Sequence, residues 1–281
     1  MALSGDDLAA DGQLFVKLEH LQHSGSFKAR GAANTMLSEP IAPAGVVAAS
    51  GGNHGAAVAW AARAAGHRAT IFVPEVSAPT KIERLRSYGA DVHITGAVYA
   101  DALEASRSHS EDTGATAIHA YDQLSVVAGA GTVGLELEDQ VGQLDAVLVA
   151  CGGGGLAGGL ATWFGTTTQI IVVETTQTAT FAHAVAASGP TPIEVGGVAA
   201  DSLGATQLGQ LGWAALSAVR ATSVLVTDDE VLQAQDLLWD RFRQIVEPAA
   251  AAPVAALLTG RYRPDGNDRT ALIVCGANTA R

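Results

Sequence analysis

Residues 145–159, Asp145-Ala-Val-Leu-Val-Ala-Cys-Gly-Gly-Gly-Gly-Leu-Ala-Gly-Gly159, decide the fold. An apolar run of strand length stops at four consecutive glycines and gives way to a helical stretch over 156–163. The run does not alternate polar with apolar residues, as expected of a strand covered on both faces. The same change of period recurs outward from this point. Residues 14–18, 46–49, 69–73, 92–95, 145–150, 169–173 and 270–275 read as strands. Residues 54–65, 79–88, 101–110 and 125–140 read as helices, and Thr227-Asp-Asp-Glu230 is a capping-box pattern opening a helix through residue 245. Such alternation predicts an α/β fold of mainly parallel, open twisted sheets flanked by helices. Residues 186–211 are rich in Gly, Pro, Thr and Ala and read as loops with short pieces of structure.

The chain has 281 residues, 48% hydrophobic and 16% charged, enough for one large domain or two modest ones. A formal net charge of -12 repels nucleic acid and anionic membrane surfaces, so neither is expected as a partner. An anionic ligand then has to be held by local dipoles and selected cations. Cys151 and Cys275 form no CxxC pair, which points to a reducing cytoplasm. The opening residues 1–12 do not read as a signal peptide, and no apolar run is long enough to span a membrane.

Four segments carry chemistry. Ser24-Gly-Ser-Phe-Lys28-Ala-Arg-Gly-Ala places a lysine among small residues. Taken alone, that is a surface lysine at a helix start. A lysine that bonds covalently to a carbonyl needs a depressed pKa and backbone packed closely around it, which the small residues permit. Ser50-Gly-Gly-Asn-His-Gly55 is a strand-to-helix turn, either an ordinary one or one that aims N–H groups at an anion. His54 reads as a packed helix-start residue. The run from Gly152 to Gly155 costs backbone entropy, which makes sense where bare N–H groups wrap a phosphate. Bonds to a charged group are worth roughly 1.5–3 kcal/mol each. The GxGxxG dinucleotide spacing is not met cleanly, so a mononucleotide-sized phosphate fits better. Cys275-Gly-Ala-Asn278 follows the last strand and, alone, is a buried thiol ending a strand.

In this order the four segments, with Gln244-Ile-Val-Glu-Pro-Ala, resemble the fold type II pyridoxal-phosphate (PLP) enzymes over residues 14–278. They are most similar to the serine/threonine dehydratase branch, which includes serine racemase. The resemblance implies that Lys28 forms the Schiff base and transfers the proton, with Phe27 beside the cofactor. It implies that Asn53 bonds the ring hydroxyl oxygen and that Gly152, Gly153, Gly154, Gly155 and Leu156 cradle the phosphate. Ser50, Gly51, Gly52 and Asn53 would hold the substrate carboxylate, and Cys275 would face the pyridine nitrogen. A neutral thiol there leaves a weaker electron sink than an Asp would, which suits β-elimination. The substrate implied is a small hydroxy amino acid, L-threonine or L-serine, with 2-oxobutyrate or pyruvate and ammonia as products.

Departures from the family pattern refine these expectations. Racemases carry a second Ser where this chain has Gly51, so elimination is favoured over racemisation. The racemase metal site falls on Glu174, Thr178 and Thr180. Loss of its Asp weakens the case for Mg²⁺ and suggests K⁺ or another monovalent cation. The alternative is that Glu174 ends a strand and caps the next helix. The family's Ala-Gly-Gln-Gly-Thr stretch reads Ala128-Gly-Ala-Gly-Thr132. Relatives carry a helix and an Arg-Thr-Pro-Leu stretch ahead of residue 14, and its curtailment would weaken dimerisation, cofactor retention or activity. With no regulatory domain after residue 281, end-product allostery is not expected. The organisation implied is a large domain of residues 1–44 and 122–281 with residues 45–121 inserted as a smaller one. PLP would lie between them, and a homodimer is usual for the family. Alternatives are a hydroxyaspartate dehydratase using a cation such as Arg30, a PLP-binding protein without activity, and a scaffold without PLP.

Overall fold

The computed structural model describes the backbone of residues 2–3 and all of residues 12–279; the remainder of the opening segment lies outside the described residues. The elements are β1 (Ala2–Leu3), β2 (Gln13–Leu18), α1 (Lys28–Ser38), β3 (Val46–Ala49), α2 (Asn53–Ala65), β4 (Ala69–Val73), α3 (Pro79–Ser87), β5 (Asp91–Ile94), α4 (Tyr99–Thr113) and β6 (Thr116–Ala117). They continue with α5 (Leu124–Val141), β7 (Ala146–Ala150), α6 (Gly155–Phe164), β8 (Gln169–Thr175), α7 (Thr180–Ala187), α8 (Gln210–Ala218), β9 (Thr222–Val226), α9 (Asp228–Phe242), α10 (Pro248–Leu258) and β10 (Arg269–Val274).

The α/β expectation holds. One sheet has the order β1-β2-β10-β7-β8-β9, the other β5-β4-β3-β6. All pairings are parallel except β1 with β2. Strands β3, β4 and β7 are buried at every position because helices cover both faces, whereas the edge strands β5 and β9 are largely open. Each sheet has its own apolar core. One gathers Leu148, Ile171, Leu272 and the alanines of α10; the other gathers Val46, Ile71 and Val58. Helix α1 contributes Ala32 and Met36 to the core of the smaller sheet.

The larger core depends on close helix approach. A Cβ on Gly159 of α6 would lie 2.6 Å from the Gly131 nitrogen and from the Val127 carbonyl of α5, so only glycine fits. Among the described residues no helix is long and apolar enough to cross a membrane.

Several expected bounds shift, two of them as follows. The helix opened by Thr227 ends at Phe242, not at residue 245, because Arg243 turns left-handed at φ 55°. The strand expected at 92–95 runs over Asp91–Ile94. The capping box itself forms: Thr227 Oγ1 accepts from the Glu230 N–H at 3.3 Å, and Glu230 Oε2 accepts from the Thr227 N–H at 2.7 Å. Residues 188–209 form no helix or strand, as their composition predicts.

Candidate active site

The four segments all follow the carboxyl ends of parallel strands, where open α/β sheets place their ligands. After β2 the chain makes two 3₁₀ turns in which Ser24 (φ 53°) and Gly25 (φ 69°) are left-handed. That reversal lets Ser26 bridge to Gly276 beyond β10. The Phe27 N–H donates to the Cys275 carbonyl at 3.0 Å, and the Ala277 N–H donates to that of Gly25 at 3.0 Å. Arg84 fastens the turn by donating to the Ser24 carbonyl at 2.6 Å and to Asn278 Oδ1 at 2.9 Å.

Lys28 therefore starts α1 at a fixed point beside Cys275. It is half-buried, its open part facing a cavity, and Nζ donates to the Ala120 carbonyl at 2.6 Å. Nζ lies 5.0 Å from the centre of the Phe27 ring. Burial lowers its pKa to about 8, against the opposing pull of Cys275 and Glu247.

In the turn at 50–53, the Gly52 N–H donates to Ser50 Oγ at 3.1 Å. A Cβ on Gly51 would meet Ser77 Oγ at 3.1 Å, so this side of the turn packs on the loop before α3. Asn53 Nδ2 donates to both carboxylate oxygens of Glu247, at 2.9 and 2.8 Å, while Asn53 Oδ1 is buried without a partner. His54 is buried and lies 3.0 Å through Nε2 from the Ile118 carbonyl. Burial pushes its pKa down to about 3, so the imidazole is neutral and donates from Nε2. Its contacts are those of a packed residue.

The glycine run bends around the start of α6, with Gly154 left-handed at φ 84° as its N-cap. A Cβ on Gly153 would lie 2.2 Å from the Tyr121 ring, and one on Gly155 would lie 2.9 Å from the Tyr121 carbonyl. Among the described residues the N–H groups of Gly153, Gly155 and Leu156 have no protein acceptor. Together with the helix dipole they make a cradle for an anion. Cys275 is 3% exposed, and burial raises its pKa well above the usual thiol value, so it stays a neutral thiol.

One cavity of about 580 Å³ touches Phe27, Lys28, Ser50, Gly51, Gly52, Asn53, Gly152, Gly153, Gly154, Gly155, Leu156 and Cys275. Sequence reasoning left out Glu247 and Tyr121, which line it too. The signal for Glu247 was its place in the Val-Glu-Pro segment; nothing in the sequence marked Tyr121. Arg30 is not in the wall. Its guanidinium donates to Glu19 at 2.7 and 2.8 Å and to Glu136 at 2.8 and 2.6 Å.

Glu174, Thr178 and Thr180 are buried outside the cavity wall. The Glu174 carboxylate accepts from the Phe181 N–H at 2.8 Å and the Ala182 N–H at 3.0 Å, with Thr180 Oγ1 3.1 Å away. This is the capping role, serving the N–H groups at the start of α7 that have no partner within the helix. Thr178 pairs with Thr175 at 2.9 Å, and Thr180 Oγ1 reaches the Gly152 carbonyl at 2.5 Å.

A buried amine of lowered pKa, a cradle of free N–H groups and a neutral thiol suit a phosphorylated aldehyde bound through Lys28. Comparison with known proteins supports pyridoxal phosphate as the ligand. The chain is 35% identical over 270 residues to the L-threonine ammonia-lyase of Geobacter sulfurreducens, covering 94% of this chain and 67% of that one. It superposes on the crystal structure of T.th. threonine deaminase with a TM-score of 0.91 at 35% identity, covering 100% of this chain and 92% of that one. With maize serine racemase the TM-score is 0.92 at 29% identity, covering 100% and 88%. The family described as pyridoxal-phosphate dependent enzyme matches residues 3–276, and this chain is a member of it.

Proposed function

We propose that this chain is an L-threonine/L-serine ammonia-lyase, releasing 2-oxobutyrate or pyruvate and ammonia. The observation that carries the reading is the cavity in which the Lys28 amine, the free N–H groups of the glycine run and the neutral Cys275 thiol converge. The relatives named for threonine ammonia-lyase and threonine deaminase activity support the substrate. When bound, PLP supplies the electron sink that acidifies the α-carbon of an amino acid.

The protein's own groups do the rest. Gly152–Gly155 and Leu156 would hold the phosphate at the start of α6, where the N–H groups of Gly153, Gly155 and Leu156 are free. Asn53, tied to Glu247 through Nδ2, would lie beside the ring hydroxyl. Cys275 would face the ring nitrogen with a thiol that keeps its proton, a weaker partner than a carboxylate would be. Lys28 moves the α-proton: with a pKa near 8, about a tenth of the free amine is unprotonated at neutral pH. The turn at 50–53 offers Ser50 and backbone N–H groups to the substrate carboxylate. The lobe of residues 45–121 closes over the cavity and excludes water.

Gly51 provides no hydroxyl on the face of the substrate opposite Lys28, which supports elimination over racemisation. The two buried, unpaired cysteines agree with a reducing cytoplasm, and the family resemblance with a homodimer. A monovalent cation at Glu174, Thr178 and Thr180 would have to compete with the α7 donors that already occupy the carboxylate. Product analysis tests the reading. L-Serine should yield pyruvate and ammonia with little D-serine, and Gly51→Ser should raise the D-serine fraction. Predominant D-serine from the wild type would overturn it.

A further inference from the structure

The wall of the cavity holds two lysines, Lys28 and Lys81, and Lys81 is already taken. Its Nζ donates to both carboxylate oxygens of Asp201 at 2.6 Å. The pair sits at the opening, since the Asp201 side chain is 67% exposed and that of Lys81 23%. It also joins the two halves of the molecule. Lys81 lies on α3, whose Ile82 and Leu85 belong to the core of the smaller sheet. Asp201 lies on the loop at 188–209, between Ala199 and Leu203 of the larger sheet's core.

We propose that the Lys81–Asp201 pair is the specificity filter of the site, admitting neutral hydroxy amino acids and rejecting those with a side-chain carboxylate. The inference rests on the ammonia-lyase reading. A substrate with a side-chain carboxylate needs a cation for that group, and Arg30 is committed elsewhere by Glu19 and Glu136. Among the described residues Lys81 is the remaining cation in the wall, and Asp201 neutralises it, so the opening offers no net positive charge to a side-chain carboxylate. A neutral side chain such as that of serine or threonine meets no such penalty.

The test compares wild type, Asp201→Asn, Lys81→Met and the double variant, all loaded with PLP. Each is given L-serine and L-threo-3-hydroxyaspartate, and binding of succinate and butyrate is measured by calorimetry. Asp201→Asn should raise the hydroxyaspartate-to-serine ratio of kcat/KM, and the succinate-to-butyrate affinity ratio, by about tenfold or more. Adding Lys81→Met should remove both gains, which a merely loosened opening would not do. No gain in Asp201→Asn, or a gain that survives in the double variant, overturns the proposal. Should the wild type make no keto acid from either hydroxy amino acid, the ammonia-lyase reading fails. The succinate ratio then decides the filter by itself.

Discussion

Asn53 Nδ2 is held between the two carboxylate oxygens of Glu247, at 2.9 and 2.8 Å, so the first residue of α2 is tied to the residue before α10. Glu247 Oε2 also accepts from the Asn278 N–H at 3.1 Å. A Cβ on Gly276 would strike this carboxylate at 2.3 Å, so the chain beyond β10 is shaped around it. The charge is buried, and burial raises its pKa, but its oxygens are satisfied.

Glu247→Gln turns one acceptor into a donor that faces the Asn53 amide or the Asn278 N–H. A buried donor then loses its acceptor, at a cost of about 1–3 kcal/mol. Urea unfolding should show a lower midpoint at unchanged slope, and PLP affinity should fall with it. An unchanged midpoint would mean that the pair adds nothing to stability.

The rate at which PLP-free protein takes up the cofactor should rise with pH through about 8 and then level off, because Lys28 reacts as the neutral amine and burial lowers its pKa to about 8. An ordinary lysine would keep rising beyond about pH 10. Stopped-flow absorbance measures this. In Lys28→Ala the visible band of the bound cofactor should be absent.

Gly159→Ala should destabilise the protein by about 1–3 kcal/mol, since the new methyl collides with the backbone at Val127 and Gly131. The denaturation midpoint reads the effect. A neutral result would show that α5 and α6 can separate freely.

Burial raises the Glu174 pKa from 4.5 to about 7 in spite of the N–H groups donated to it. The folded state therefore favours the protonated form. The stability this contributes is fully present below pH 4.5 and is lost as pH rises through 7, by on the order of 3 kcal/mol in total. Unfolding free energies measured from about pH 4 to about pH 9 should flatten in Glu174→Gln. Where K⁺ binds this carboxylate, adding K⁺ should lift the high-pH end of the wild-type curve.

Central strands were legible because burial on both faces writes continuous apolar runs: 46–49 and 69–73 match their strands residue for residue. Edge strand β9, half-open, carries no such run. Helix α10 contains Pro253, a residue that argues against a helix, yet Ala250–Ala256 pack it against the larger sheet and that burial prevails. Lys28 begins α1, but the glycine and alanines around it read as a site before they read as a helix. The cavity residues were recoverable because they follow strand ends. Tyr121 and Asp201 were not, since loop residues acquire their neighbours only on folding.

The most direct measurement of the central claim is keto-acid formation by the PLP-loaded protein given L-threonine or L-serine, with Lys28→Ala as control. The account predicts 2-oxobutyrate or pyruvate in equal amount to released ammonia, and none from Lys28→Ala. Loaded wild-type protein that makes no keto acid from either amino acid, or a Lys28→Ala variant that still makes it, would contradict the account.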